Sequence, residues 1–116
     1  MQKLYFTDVN RCQGFCGVDV HETPQGTVVV MTELDGNPAM SVTNAVETIA
    51  TAVVQEFNIE HPEQVTWLEH YNPEVYEYWD EDEYSRVVFT WRNGKACSPR
   101  WRYILPQDAR KLIGGQ

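Results

Sequence analysis

The amino-acid sequence predicts a single α+β domain over residues 1–116: an antiparallel or mixed sheet of about five to six strands, packed on one face by one long amphipathic helix and followed by a short C-terminal helix. Three observations carry that expectation. Apolar side chains recur at helical spacing through Ser41–Phe57, and β-branched and aromatic runs bounded by turn-forming residues flank that stretch on both sides. A chain of 116 residues with a 42% apolar fraction supplies one core rather than two.

The first three strands are Leu4–Val9, Cys16–His21 and Thr27–Leu34. The last two form a hairpin, because Glu22-Thr23-Pro24-Gln25-Gly26 between them is a turn-forming cluster. Asp35-Gly36-Asn37-Pro38 then breaks regular structure, and Ser41 is placed to accept a hydrogen bond from a free amide at the helix start. Val42, Ala45, Val46, Ile49, Ala50, Val53, Val54 and Phe57 fall on one face of that helix. Asn58 suits the left-handed position that closes a helix, Ile59 can fold back on the last turn, and His61-Pro62 prevents continuation.

Val65–Tyr71 and Arg86–Trp91 are further strands. Asn93-Gly94 tolerates positive φ at both central positions of a tight turn, which makes Ala96–Leu105 the return arm of a hairpin. Pro99 lacks an amide donor, so this arm is bulged or lies at the sheet edge. Pro106 fits the first turn of a final helix, with Ala109, Leu112 and Ile113 facing inward and Gly114-Gly115 ending it.

The formal net charge of −8 conceals a division along the chain. Residues 1–84 hold sixteen carboxylates against Lys3 and Arg11, a formal −14, whereas the remainder sets Arg86, Arg92, Lys95, Arg100, Arg102, Arg110 and Lys111 against Asp108 alone, a formal +6. Overall acidity opposes bulk attraction to nucleic acid or to an anionic membrane, while a basic C-terminal face can still bind an anion locally. No apolar run reaches the roughly 20 residues that a spanning helix needs, and Met1–Asp8 lacks the pattern of a secretory signal. Three cysteines cannot all pair, which suits thiols in a reducing compartment; a cytoplasmic location without membrane contact is expected.

Chemistry-bearing constellations are sparse. Cys12 and Cys16, with Cys97 and His21, His61 or His70, include zinc-ligand types, but one close cysteine pair and a distant third do not make two zinc knuckles, so neither metal nor cofactor is expected. Cys97 with His70 is the obvious nucleophile–base pairing, and no local nucleophile signature supports it. Glu69 and His70 are strand neighbours and point to opposite faces. The loop Asp35-Gly36-Asn37-Pro38 before a helix start offers amides to a phosphate, yet Glu33 and Asp35 would repel one.

Two segments stand out as surfaces. Asn72–Tyr84 interleaves Glu74, Glu77, Asp80, Glu81, Asp82 and Glu83 with Tyr76, Tyr78, Trp79 and Tyr84, and contains no basic residue. The hairpin from Trp91 to Tyr103 alternates cations with rings, so that Arg100 and Arg102 share one face while Trp101 and Tyr103 share the other and can be core. The preferred expectation is a non-catalytic protein-binding or regulatory domain whose contact residues are Tyr76, Tyr78, Trp79, Asp80 and Tyr84, facing a basic protein partner. The alternatives are a small enzyme using His70 with Glu33 or Glu69 in proton transfer, and anion or nucleic-acid binding through Arg92, Lys95, Arg100 and Arg102. The opposite charges also allow intramolecular pairing or a homo-oligomer joined head to tail.

Overall fold

The computed structural model describes residues 2–7, 13–36, 42–74 and 79–114, with the side chains at 6–7, 13–15, 33–36 and 42–45 outside that description. Six strands and two helices follow one another as β1 (Gln2–Thr7), β2 (Gln13–Thr23), β3 (Gly26–Gly36), α1 (Val42–Glu56), a 3-10 turn (Pro62–Gln64), β4 (Thr66–Tyr71), β5 (Glu83–Arg92), β6 (Lys95–Ile104) and α2 (Pro106–Gly114). All six strands form one mixed sheet whose spatial order is the chain order. Every neighbouring pair is antiparallel except β3 and β4, which run parallel. Parallel neighbours cannot be joined by a tight turn, and α1 with the 3-10 turn supplies the crossover.

The local chemistry explains where the elements stop. At the β2–β3 turn, Thr23 Oγ1 accepts from the Gln25 amide at 3.2 Å and donates to the Gly26 carbonyl at 2.7 Å, while Gly26 takes a φ of 121°. Asn58 adopts the left-handed conformation, with φ 52°, and the Ile59 amide reaches back to the Val54 carbonyl at 3.1 Å, which closes α1. Ile59 then packs on the core beneath it. At 15 residues, about four turns, α1 is of ordinary length and one residue shorter at each end than the stretch expected from the sequence. Ser41 and most of the loop before α1 lie outside the described residues.

The core has two layers. Val46, Ile49, Ala50, Val53 and Val54 of α1 meet Cys16, Val18, Val29, Met31, Trp67, Val87 and Phe89 of the sheet. On the opposite face, Val28, Val30, Leu68 and Tyr84 pack against Ala109 of α2. This is why Val28-Val29-Val30-Met31 reads as an unbroken apolar run: β3 is central and buried on both faces. The long helix thus covers one face of the sheet, as expected, and the short C-terminal helix packs on the other.

Two core expectations are corrected. Trp101 and Tyr103 lie on the α1 side of the sheet but beyond the reach of the helix, and remain 37% and 57% exposed. Leu112 is likewise 36% exposed, because α2 turns Ala109 and Ile113, not Leu112, onto the sheet.

Leu68 is fully buried between β3, β5 and α2, so Leu68→Ala is expected to cost about 2–5 kcal/mol in a urea titration. Val88→Ala, on the same face but 55% exposed, is expected to change stability by less than about 0.5 kcal/mol.

Candidate functional site

The β5–β6 hairpin is built from a strict register broken once. Asn93 at φ 52° and Gly94 at φ 76° make the turn, and Arg92 pairs with Lys95, Trp91 with Ala96 and Thr90 with Cys97. Between there and the Val88–Arg100 pair, β6 has one residue more than β5, because Ser98 and Pro99 oppose Phe89 alone. Ser98 takes a left-handed φ of 51°, and the bulge restores the alternation of faces for Arg100, Trp101, Arg102 and Tyr103.

The consequence is a row of cations on one face. Arg86, Arg92, Lys95, Arg100 and Arg102 all project to the side of the sheet that α2 covers elsewhere, and all five are exposed. Among the described residues none of them forms an ion pair; the pairs present are His61–Glu63, His70–Asp82 and Arg110–Asp82. Arg86 stands directly opposite Arg102, an arrangement of like charges that weakens a strand pair. Exposed Val88 lies between Arg86 and the turn on the same face, opposite Arg100. Near the turn, Arg92, Lys95, Cys97 and Ser98 line an open depression of about 480 Å³.

Arg86 is the member of this row that sequence reasoning missed as a site residue. Its position across from Arg102 depends on the extra residue at Ser98–Pro99, and the proline that marks the bulge is the signal that could have located it.

On the other side of the hairpin, the Trp101 indole N–H reaches across β5 and donates to Glu69 Oε2 at 2.6 Å. Tyr71 donates a second hydrogen bond to the same carboxylate. Burial nevertheless outweighs both bonds and pushes the Glu69 carboxyl above its ordinary value of 4.5.

The described rings of the acidic aromatic segment, Trp79 and Tyr84, fold inward, while Glu74, Asp80 and Glu81 are exposed. The Trp79 ring is half-buried and tilted at 37° against Tyr71, with centroids 5.4 Å apart. Tyr84 is only 7% exposed and stacks on His70 at 4.3 Å under α2, which corrects the expectation that its ring is displayed to a partner. Burial, with Asp82 and Asp19 close by, pushes the Tyr84 phenol up. Asp82 sits between His70 Nε2 at 3.2 Å and Arg110 at 3.7 Å; the approach to the ring nitrogen is too oblique for a hydrogen bond. Asp80 is exposed, and Tyr76 and Tyr78 lie outside the described residues.

The geometry separates His70 from Glu69 and from Cys97. Glu69 faces α1 and His70 faces α2, so the sheet separates them. Cys97 pairs with Thr90, six residues along β5 from the Tyr84 that His70 contacts, a separation of about 20 Å. The Glu33 side chain and Cys12 lie outside the description, and Cys16 is a fully buried core thiol. Among the described residues no group of three His, Cys, Asp or Glu is placed to hold a metal ion. The open depression at the hairpin turn and a second one of about 430 Å³, between the β2–β3 turn and the end of α1, contain neither His70 nor Glu69. No described helix is long and apolar enough to cross a membrane.

Comparison with protein-family models, with curated proteins and with solved structures finds no match.

The raised carboxyl of Glu69 has a definite sign for stability. The folded state holds this proton to higher pH than the unfolded chain does, so the contribution of Glu69 falls as pH rises through 4.5 and beyond. Glu69→Gln keeps an acceptor for Trp101 and removes the charge. Its melting temperature is expected to exceed that of the wild type at neutral pH, with the gap closing below pH 4.5; a gap independent of pH would contradict the assignment.

Proposed function

We propose that this protein is a non-catalytic binding domain whose contact surface is the cationic face of the β5–β6 hairpin, and that its ligand is an acidic protein segment. One observation carries the reading: five cations project from one exposed face and, among the described residues, none of them forms an ion pair with a carboxylate, although the chain as a whole is acidic. The acidic segment, to which a contact role belongs on sequence grounds, spends Trp79, Asp82 and Tyr84 on the domain's own packing. Asp80 remains available to it.

Protein is favoured over nucleic acid by the separation of rings from cations. Single-stranded nucleic acid is held by aromatic stacking together with backbone contacts. Here Trp91, Trp101 and Tyr103 lie on the face opposite the arginines, so among the described residues of the hairpin no exposed ring stands beside the cations for a base to stack on. Carboxylates need no ring, and guanidinium groups accept them two bonds at a time.

The test is titration with polyglutamate and with a single-stranded oligonucleotide at low salt, followed by calorimetry. Polyglutamate is expected to bind, to weaken as salt is added, and to lose affinity about tenfold for each of Arg86, Arg100 and Arg102 replaced by Ser, about 1.4 kcal/mol each. Preferential oligonucleotide binding, or no binding of either, overturns the proposal. Arg102→Glu separates binding from folding: it turns a repulsive pair with Arg86 into an attractive one, so the variant should gain about 0.2–1 kcal/mol of stability while losing affinity.

A further inference from the structure

We propose that the acidic segment of a partner protein binds as an added β-strand along the outer edge of β6 at Arg100–Ile104, an inference that rests on the binding reading above. β6 is the last strand of the sheet, and its outer side is managed differently along its length. At the turn end α1 closes it, because the Ala96 amide donates to Thr51 Oγ1 of the helix at 3.0 Å. Next comes Pro99, which has no amide to offer. Beyond Pro99, among the described residues, no backbone group of another element bonds to the outer side of Arg100–Ile104. Alternate amides and carbonyls of that stretch therefore point outward in the geometry that accepts a strand.

The side chains flanking this edge specify the occupant. Arg100 and Arg102 stand on one face of it, and the part-exposed rings of Trp101 and Tyr103 on the other. A seventh strand would place successive side chains on alternate faces. The complementary segment carries carboxylates at every second position, against the arginines, with apolar or aromatic residues between them, against Trp101 and Tyr103. A second copy of this chain does not meet that description. Two-fold pairing of β6 with itself sets arginine rows side by side, and β1, the other edge, carries Lys3 and no carboxylate within Gln2–Thr7.

The experiment uses the intact chain and capped eight-residue peptides of one composition, four Glu with two Val and two Tyr, in alternating or in block order. Two further peptides keep the alternating order but carry N-methyl groups on alternate residues, one in each phase. Strand addition predicts that the alternating peptide binds at least about tenfold tighter than the block peptide, read by a change in tryptophan emission and by calorimetry. It also predicts that methylation in one phase abolishes binding while the other phase leaves it intact. If the block peptide or both methylated peptides bind as well as the alternating one, strand addition is overturned and charge-driven binding stands. If no peptide and no polyglutamate binds at low salt, both readings fall. Dimerisation of the free chain that is lost in Arg100→Glu would assign the edge to a second copy and overturn the stated occupant.

Discussion

Everything distinctive about this molecule follows from a shortage of cover. Six strands spaced about 4.8 Å apart make a sheet roughly 24 Å across, with two faces to shield. Against this the chain supplies one helix of 15 residues, about 22 Å long, and one of nine, about 13 Å long. α1 touches both edge strands, β1 and β6, so it crosses its face obliquely and leaves the corner around Glu69, Trp101 and Tyr103 outside its shadow. α2 shields only the region of Val28, Val30, Leu68 and Tyr84 on the other face. The solvent side of the β5–β6 hairpin is what remains, and Arg86, Arg92, Lys95, Arg100 and Arg102 stand exposed on it.

Cations on an edge strand have an ordinary purpose, which is to stop edges from pairing indiscriminately. Lys95, Arg100 and Arg102 with Pro99 would satisfy that purpose by themselves. Arg86 does not serve it, for it sits on β5, one strand inward, where there is no edge to guard. Its effect on the free molecule is unfavourable, since it opposes Arg102 directly across the pair. A repulsion retained at an interior strand is relieved when an anion bridges the two guanidinium groups, and that relief argues for a ligand rather than for edge protection alone.

The sequence made the local structure legible because local structure depends on neighbours in the chain. The face of α1, the left-handed Asn58, the Asn93-Gly94 turn and the irregularity at Ser98–Pro99 all appear where residue chemistry places them. The alternation that puts Arg100 and Arg102 together was legible for the same reason. What was not legible depends on register between distant strands. Trp101 meets Glu69 across an intervening strand, a contact no local pattern announces. Trp101 and Tyr103 were expected in the core because their alternation is right, but alternation gives the face and not the extent of the helix covering it. Tyr84 was read as part of an exposed loop because its neighbours are acidic, whereas it is already the second residue of β5 and lies under α2.

The charge division acquires its meaning from topology. Strand order equals chain order, so the hairpin cations gather at the β6 edge while Asp19 and Glu22 of β2 stand near the other; the nearer carboxylates, Glu69, Asp82 and Glu83, lie at the end of the hairpin away from its turn. A fold that interleaved early and late strands would have brought the same charges together and neutralised them. At physiological salt each patch is felt over about 8 Å, much less than the width of the sheet. An anion approaching the β6 edge therefore meets Lys95, Arg100 and Arg102 first, while a long polyanion lying across the molecule also meets the carboxylates of β2. A short acidic segment held along Arg100–Ile104, as proposed, would keep its charge within that strip, whereas a rigid nucleic-acid duplex would not.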